Sequence, residues 1–368
     1  MKIVQILPEL NEGGVERGTV ELSRELVKKG YESVVISHGG KQVSQLENEG
    51  ALHVKLDVCS KNILTAPWRI IQLYRILKDL KPDIIHVRSR VPAWMVFFAN
   101  KLLKLPLVTT AHGLYSINAY SAIMTKGDRV ICVSETVKEY LLKHFKVDNP
   151  EKFIPIDRGV DMQVFTPENT DKAFIEDFKQ RYNLEGKYIV TTIGRIVQGK
   201  DYETFIKGIA LAKKEIPNIV GLIVGGVREN KIDYAKSLET LVNECGCTDE
   251  IIFTGNQTKI PEICYMSDIV VSTTPMMGNV ARTLIEALAL GTPVIMTSYE
   301  GLKNIVTNGL NGYLIKTGDA QDLADKLILS NKKDFDNIRE TLPSSFTLDY
   351  MVNENIKIYK SLCERASC

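Results

Sequence analysis

Residues 2–30 read KIVQILPELNEGGVERGTVELSRELVKKG, and this stretch decides the fold. The apolar run at 3–7 has the length of a buried strand. Residues 15–29 place apolar side chains at helical spacing, and Gly30 ends the segment. A strand that is apolar on both faces and leads into a helix is typical of a parallel sheet with helices on its two sides.

The same alternation continues along the chain and restarts near Tyr188. In the first half it predicts a helix at 68–80 and strands at 34–37, 83–87, 107–110 and 130–133. In the second half it predicts strands at 188–193, 220–224, 251–253, 269–272 and 294–297, and helices at 202–214, 232–245, 281–290 and 320–329. We therefore expect two tandem doubly wound α/β domains, at 1–165 and 166–346, with a helix at 347–366 after them.

Composition and charge limit the possible functions. A length of 368 residues suits two domains, and 44% hydrophobic with 25% charged residues is ordinary for a globular protein. A net charge of +1 argues against nucleic-acid binding by charge alone. Residues 1–165 carry a net +5 and the remainder a net −4, which makes the first domain the expected side for an anionic partner, unless the asymmetry is mere composition.

Cysteine usage and hydropathy bear on location. The seven cysteines show no zinc-type spacing, and scattered thiols suit a reducing compartment. No signal peptide is predicted, and the longest apolar stretch, at 93–108, is interrupted by Asn100, Lys101 and Lys104. We expect a cytoplasmic protein that can also make peripheral contact with the inner face of the membrane.

Ligands of doubly wound sheets bind outside the carboxyl ends of the strands, and two such domains predict a cleft between them. After the first strand, Gly13 and Gly14 at a helix start would let the backbone approach a phosphate or a hydroxyl-rich group. The loop lacks the dinucleotide fingerprint and a Walker lysine, so a plain turn is the alternative.

Three charged residues in the second half are also candidates for ligand binding. Arg195 and Lys200 flank the loop after the strand at 188–193, where they could clamp a diphosphate; solvated surface cations are the alternative. Glu286 lies in the apolar segment 283–290, where a carboxylate needs a partner. A ribose diol or a neighbouring cation would supply one.

Three residues of the first half also follow strands. His112 comes after the strand at 107–110, as an active-site or a structural histidine. Arg88 and Arg90 come after the strand at 83–87, where they could receive an anionic acceptor or simply be solvated. Histidine, cysteine and carboxylate spacings typical of metal sites are missing, so no metal is expected.

Six short motifs, in this order and spacing, resemble the retaining glycosyltransferases of family 4, which have the GT-B fold. They occupy 13–16, 133–135, 158–161, 194–200, 253–255 and 286–294. The resemblance implies that Arg195 and Lys200 hold the donor diphosphate and Glu286 the ribose. It further implies that the Gly13–Gly14 loop approaches the phosphate or the acceptor, that His112 lies near the transferred sugar, and that the final helix packs on the first domain.

One departure from the family pattern concerns the donor sugar. The family has two glutamates eight positions apart; Glu286 matches the second, but Gly278 occupies the position of the first. The loop that follows, Asn279, Val280, Ala281 and Arg282, also differs from the commoner glycine-rich form. Residues 282–286 are similar to those of some bacterial lipopolysaccharide-core transferases.

The predicted activity is metal-independent transfer of a sugar from a nucleoside-diphosphate sugar to a hydroxyl of a glycan or lipid-linked acceptor, with retained configuration. Lipopolysaccharide or other cell-envelope glycan synthesis is the expected pathway. No cofactor and no nucleic-acid partner are expected. A sugar-nucleotide epimerase on the same fold is the alternative, and a non-catalytic binding protein is a third. The missing dinucleotide fingerprint argues against a dehydrogenase.

Overall fold

The computed structural model describes residues 1–11, 13–275, 281–298 and 305–366. The chain forms two compact units, Met1–Gly159 with Thr347–Cys368, and Val160–Phe346. The division falls six residues before the predicted boundary at 165. Val160 and Phe165 belong to the core of the second unit, and the Val160 amide donates to the Phe346 carbonyl at 2.8 Å.

The first unit is built on a seven-stranded parallel sheet, with strand order β3-β2-β1-β4-β5-β6-β7. The five inner strands are nearly all buried, as expected for a sheet covered on both faces, whereas the two edge strands are partly exposed. Their bounds are β1 Lys2–Ile6, β2 Glu32–Ser37, β3 Leu52–Lys55, β4 Ile84–Val87, β5 Leu107–Ala111, β6 Arg129–Cys132 and β7 Phe153–Pro155. The sequence patterns predicted five of these strands but not the short β3 and β7.

Six helices connect these strands. They are α1 Gly14–Lys28, α2 Val43–Asn48, α3 Ala66–Leu80, α4 Arg90–Leu103, α5 Ala119–Ala122 and α6 Glu135–His144. Leu22 and Leu26 of α1 are fully buried, as the helical spacing predicts. Residues 93–108, where a single apolar stretch is visible in the sequence, are divided between α4 and β5.

The second unit has a six-stranded parallel sheet, with strand order β10-β9-β8-β11-β12-β13. Its strands are β8 Tyr188–Ile193, β9 Ile219–Val224, β10 Ile251–Gly255, β11 Ile269–Ser272, β12 Val294–Thr297 and β13 Gly312–Ile315. Its helices are α7 Lys172–Arg181, α8 Tyr202–Ala212, α9 Ile232–Glu244, α10 Ile260–Met266, α11 Arg282–Ala289 and α12 Ala320–Asn331. The prediction of two doubly wound parallel-sheet units is confirmed.

The last helix, α13 Leu348–Ala366, packs on the sheet of the first unit. Its Val352 and Tyr359 are fully buried against residues that include Ile3 and Ile84. The Tyr359 hydroxyl lies 2.7 Å from Nδ1 of the buried His86 in β4. The helix at the end of the chain thus completes the core of the unit at its beginning.

Within the described residues, no helix has both the length and the apolar character needed to cross a membrane. The six cysteines in the described part of the chain are free thiols.

Candidate functional site

The strand order of each sheet identifies the loops at which a ligand is expected to bind. In the first unit the order reverses between β1 and β4, and in the second between β8 and β11. Ligands of open α/β sheets bind at such reversals, outside the carboxyl ends of the strands. The predicted residues Gly13, Gly14 and Arg88 follow the first pair of strands, and Arg195 and Lys200 follow β8.

The two predicted cations of the second unit lie close enough to influence one another. Lys200 sits in a short 3₁₀ turn, 198–200, between β8 and α8 and is half-buried, whereas Arg195 is exposed. Burial lowers the pKa of Lys200 from its ordinary value, and the positive charge of Arg195 lowers it further. An anion placed beside both cations would relieve that repulsion.

Several contacts hold this loop in place. The Tyr202 hydroxyl donates to the Gly194 carbonyl at 2.6 Å, and the Thr273 hydroxyl, just after β11, donates to the Asp201 carbonyl at 2.7 Å. Asp201 adopts a left-handed conformation, with φ of 52°, and its carboxylate caps α8 at the Thr204 amide. Lys200 therefore lies in a turn that hydrogen bonds hold in place, and not in a free surface loop.

Glu286 has a partner within its own helix. It is 2% exposed, and its Oε1 accepts a hydrogen bond from Nε of Arg282 at 2.9 Å, one turn earlier in α11. The structure therefore contains the neighbouring cation that the sequence left open as an alternative to a ribose. A bound ribose would have to share this carboxylate with Arg282.

Part of the predicted donor loop lies outside the described residues, namely Gly278, Asn279 and Val280. Ala281 occupies the N-cap position of α11, which begins at Arg282 and has no side-chain cap. The role of residues 278–282 in donor binding stays a prediction.

His112 directly follows β5, and its ring is held by a residue that the sequence analysis assigned no role. A guanidinium nitrogen of Arg158 lies 3.1 Å from Nδ1 of His112. The Nε2 atom of His112 is buried and has no hydrogen-bond partner among the described residues. Burial holds the pKa of His112 well below its ordinary value, and the charges of Arg158 and Arg88 lower it further.

This geometry determines the tautomer of His112. A guanidinium can only donate hydrogen bonds, so Nδ1 must accept and the neutral ring carries its proton on Nε2. The imidazole is neutral near pH 7 because its pKa is depressed. His112 therefore offers an N–H donor at Nε2, and not a basic lone pair.

Arg158 also reaches the start of α1. A β-carbon at Gly14 would lie 2.8 Å from Nη1 of Arg158, so the glycine makes room for the guanidinium. Gly13 precedes this 15-residue helix without a side-chain cap, and the Glu16 carboxylate of the first turn lies next to it. Arg158 thus links the Gly13–Gly14 loop to His112. Its sequence signal was its place at the start of the motif at 158–161, which assigned it no role.

Arg88 is the second cation next to His112 and is buried. Its Nε donates to Oε1 of Gln5 at 2.9 Å, and Nε2 of Gln5 donates to the Ser23 hydroxyl at 2.7 Å. Burial lowers the pKa of Arg88 to about 10, so it remains charged at neutral pH. No carboxylate in the described residues pairs with it. A buried cation with only a neutral partner favours an anionic ligand.

Arg90 takes part in local structure instead. Its guanidinium lies 5.2 Å from the ring centres of Tyr115 and of Tyr120, and it donates to the Ser121 hydroxyl at 3.2 Å. Half-buried between two rings, Arg90 holds the segment after His112 against α4. Its predicted contact with an acceptor stays a prediction.

In the described residues, one group of side chains could hold a metal ion, made of His38, Asp57 and Cys59. The Asp57 Oδ1 already accepts hydrogen bonds from the Cys59 amide at 3.2 Å and from its thiol at 3.3 Å. The prediction that carboxylate spacings typical of metal sites are missing was wrong in one case, the triplet Asp334-Phe335-Asp336. Its carboxylates are exposed in the segment after α12 and not at a strand end.

The chain is similar in sequence to known protein families and to solved structures. Residues 12–177 match the model of Glycosyltransferase Family 4, and residues 174–341 match that of Glycosyl transferases group 1. The chain is similar to a crystallised glycosyltransferase from Rickettsia africae, with 30% identity, 98% of both chains covered and a TM-score of 0.88.

Two further similarities are more distant. The UDP-Gal:α-D-GlcNAc-diphosphoundecaprenol α-1,3-galactosyltransferase of Escherichia coli is 25% identical, over 88% of this chain and 86% of that protein. The Anabaena protein HepE, crystallised with UDP and glucose, is 18% identical over 98% of this chain and all of its own, with a TM-score of 0.83. The latter shows a common fold.

Proposed function

Because this chain belongs to the GT-B glycosyltransferases, with a family 4 domain followed by a group 1 domain, we propose that it transfers a hexose from a UDP-sugar to an acceptor hydroxyl. We further propose that the anomeric configuration is retained. The observation that carries the proposal is that two cations, Arg195 and Lys200, follow β8 at the point where the strand order of the second sheet reverses. A diphosphate is the ligand that such a pair fits.

The choice of a UDP-sugar as the donor is based on two similar proteins. The E. coli relative acts on UDP-Gal by its name, and the Anabaena protein was crystallised with UDP and glucose. In this chain, the proposed donor places its diphosphate against Arg195 and Lys200 and its ribose against Glu286. The C1–O bond to the diphosphate breaks as a bond to the acceptor oxygen forms, and the acceptor hydroxyl passes its proton to the departing phosphate oxygen. The two cations stabilise the remaining charge on the UDP.

We propose that the first unit binds the acceptor. His112 offers its Nε2–H as a donor, and Arg88, Arg158 and the amide end of α1 supply positive potential. The name of the E. coli relative specifies a diphosphoundecaprenol-linked acceptor. A lipid-linked saccharide of a bacterial cell envelope is accordingly the proposed acceptor class, with lipopolysaccharide as one instance.

Donor binding is tested by calorimetric titration with UDP, GDP and ADP. Turnover is then tested by incubating UDP-sugars with and without a diphosphoundecaprenol-linked saccharide. A transferase releases UDP at a rate that depends on the acceptor, and NMR of the product reports the anomeric configuration. An isomerised sugar nucleotide formed without any acceptor would instead identify an epimerase.

Glu286→Ala is expected to weaken UDP binding by about tenfold or more, because a carboxylate that accepts ribose hydroxyl groups is lost. The measurement is the Kd by calorimetry. Glu262→Ala is the matched control, since it removes another buried carboxylate of the second unit, in α10. It should lower Tm without changing Kd. A wild-type Kd in Glu286→Ala would refute the proposed contact with the ribose.

Removal of metal ions is expected to leave turnover within about twofold, because the two cations neutralise the leaving group in place of a metal. The rate of acceptor-dependent UDP release is measured before and after dialysis against EDTA. Loss of activity that Mg²⁺ or Mn²⁺ restores would show that the proposed metal independence is wrong.

A further inference from the structure

Six large apolar side chains are exposed on neighbouring elements of the first unit, and we call them the α3–α4 surface. Exposure reaches 91% for Leu64, 83% for Ile63 and 60% for Trp68. Such exposure is costly in water for side chains of this size. The full set is Ile63, Leu64, Trp68, Ile71, Phe98 and Leu102.

These side chains form one connected region. Ile63 and Leu64 directly precede α3, and Trp68 and Ile71 lie one turn apart on its exposed face. On α4, Trp94 stacks on Phe98 with ring centres 6.0 Å apart, and Leu102 follows one turn later. A groove of about 340 Å³ joins the two elements, lined by apolar groups that include Ile63, Ile70, Trp94, Met95, Phe98 and Tyr120.

The α3–α4 surface lies in the most basic part of the sequence. Residues 58–127 contain ten Lys and Arg but only two acidic residues, Asp79 and Asp83, although the whole chain has a net charge of +1. Seven of the ten cations are exposed: Lys61, Arg75, Lys78, Lys81, Lys101, Lys104 and Lys126. Lys101 lies over the rings of Phe97 and Phe98, at 4.9 and 5.5 Å from their centres. Lys101 therefore shares this surface with Phe98, and Arg75 and Lys78 continue the helical spacing of Trp68 and Ile71 along α3.

We propose that the α3–α4 surface docks on an anionic lipid bilayer. Leu64 and Trp68 enter the acyl region, the cations lie at the level of the headgroups, and the groove accommodates part of an acyl chain. The charge argues against a second copy of the chain, because a symmetric dimer through this surface would oppose two basic patches. The inference rests on the proposed function in one respect, since a lipid-linked acceptor requires the enzyme to work at a bilayer.

Co-sedimentation with lipid vesicles tests the proposal on the full chain without donor. We expect binding to vesicles of phosphatidylcholine mixed with phosphatidylglycerol, weaker binding to phosphatidylcholine alone, and release by salt. The variant Leu64→Ser/Trp68→Ser should lower the partition coefficient at least about tenfold. The variant Lys101→Gln/Lys104→Gln should lower it severalfold, for the anionic vesicles only.

The matched control is Leu310→Ser/Leu329→Ser, which removes two exposed leucines of the second unit and should bind vesicles like the wild type. Wild-type vesicle binding by Leu64→Ser/Trp68→Ser would overturn the proposal, as would a dimer in light scattering that this variant abolishes. UDP affinity of every variant, measured by calorimetry, should equal that of the wild type. Vesicle binding by a chain that binds no UDP would refute the proposed function and leave this surface standing.

Discussion

Lys200→Ala is expected to lower kcat by about 10²–10³-fold and to raise the Kd of UDP by about tenfold. The lysine is half-buried beside Arg195, and its pKa is lowered by burial and by that second charge. A diphosphate beside Lys200 and Arg195 gains most from these two positive charges when its own charge is greatest, which is in the transition state. For this reason we expect kcat to fall more than affinity.

Initial rates at saturating donor and calorimetry with UDP measure the two effects. Lys207→Ala is the matched control, because this lysine lies on the same unit, in α8, and is exposed. It should keep the wild-type kcat and Kd. Equal kinetics for Lys200→Ala and the wild type would remove the diphosphate role of the loop after β8.

His112→Leu is expected to lower kcat by about 10²-fold, whereas His112→Gln should retain activity to within about tenfold of the wild type. The side-chain amide of glutamine can present an N–H near the position of Nε2, and leucine cannot. A general base would behave differently, because neither replacement can take up a proton. The ratio of the two variants therefore separates hydrogen-bond donation from base catalysis.

The pH profile provides a second readout of His112. Its pKa lies well below the ordinary value, so the ring is neutral at neutral and alkaline pH and kcat should show no imidazole limb near pH 6.5. Burial raises the pKa of Asp157 to about 6, and a limb there that Asp157→Asn removes would belong to that residue. Nitrogen-15 NMR should find Nδ1 unprotonated in the wild type. A protonated Nδ1 would contradict the assigned tautomer.

The strands that the sequence predicts are those with long apolar runs. β8 and β9 each contribute six residues, nearly all buried, and such runs need burial on both faces wherever they lie in the sheet. The strands that the sequence does not reveal are short or partly exposed, such as β3, with Leu52 half exposed, and the three-residue β7. At the edge of a sheet, pairing with one neighbour defines a strand that has no apolar pattern of its own.

Some residues of the candidate site could be predicted from the sequence, and others could not. Arg195, Lys200 and His112 were identifiable because each follows a strand, and the carboxyl ends of parallel strands are where ligands bind. Arg158 was not identifiable as a partner of His112, since 46 residues separate them and a pairing so distant along the chain has no local pattern. For Glu286 the sequence required a partner but did not identify it, and the structure places Arg282 there.

The sequence by itself determined the two doubly wound sheets, because the alternation of apolar runs and amphipathic segments is a local consequence of burial. It also determined which loops carry charge. Only the tertiary structure decided that Arg158 holds Nδ1 of His112, that Arg88 is buried against Gln5, and that α3 and α4 share one apolar surface. Those contacts join residues far apart in the chain, and chain folding alone sets the distances between them.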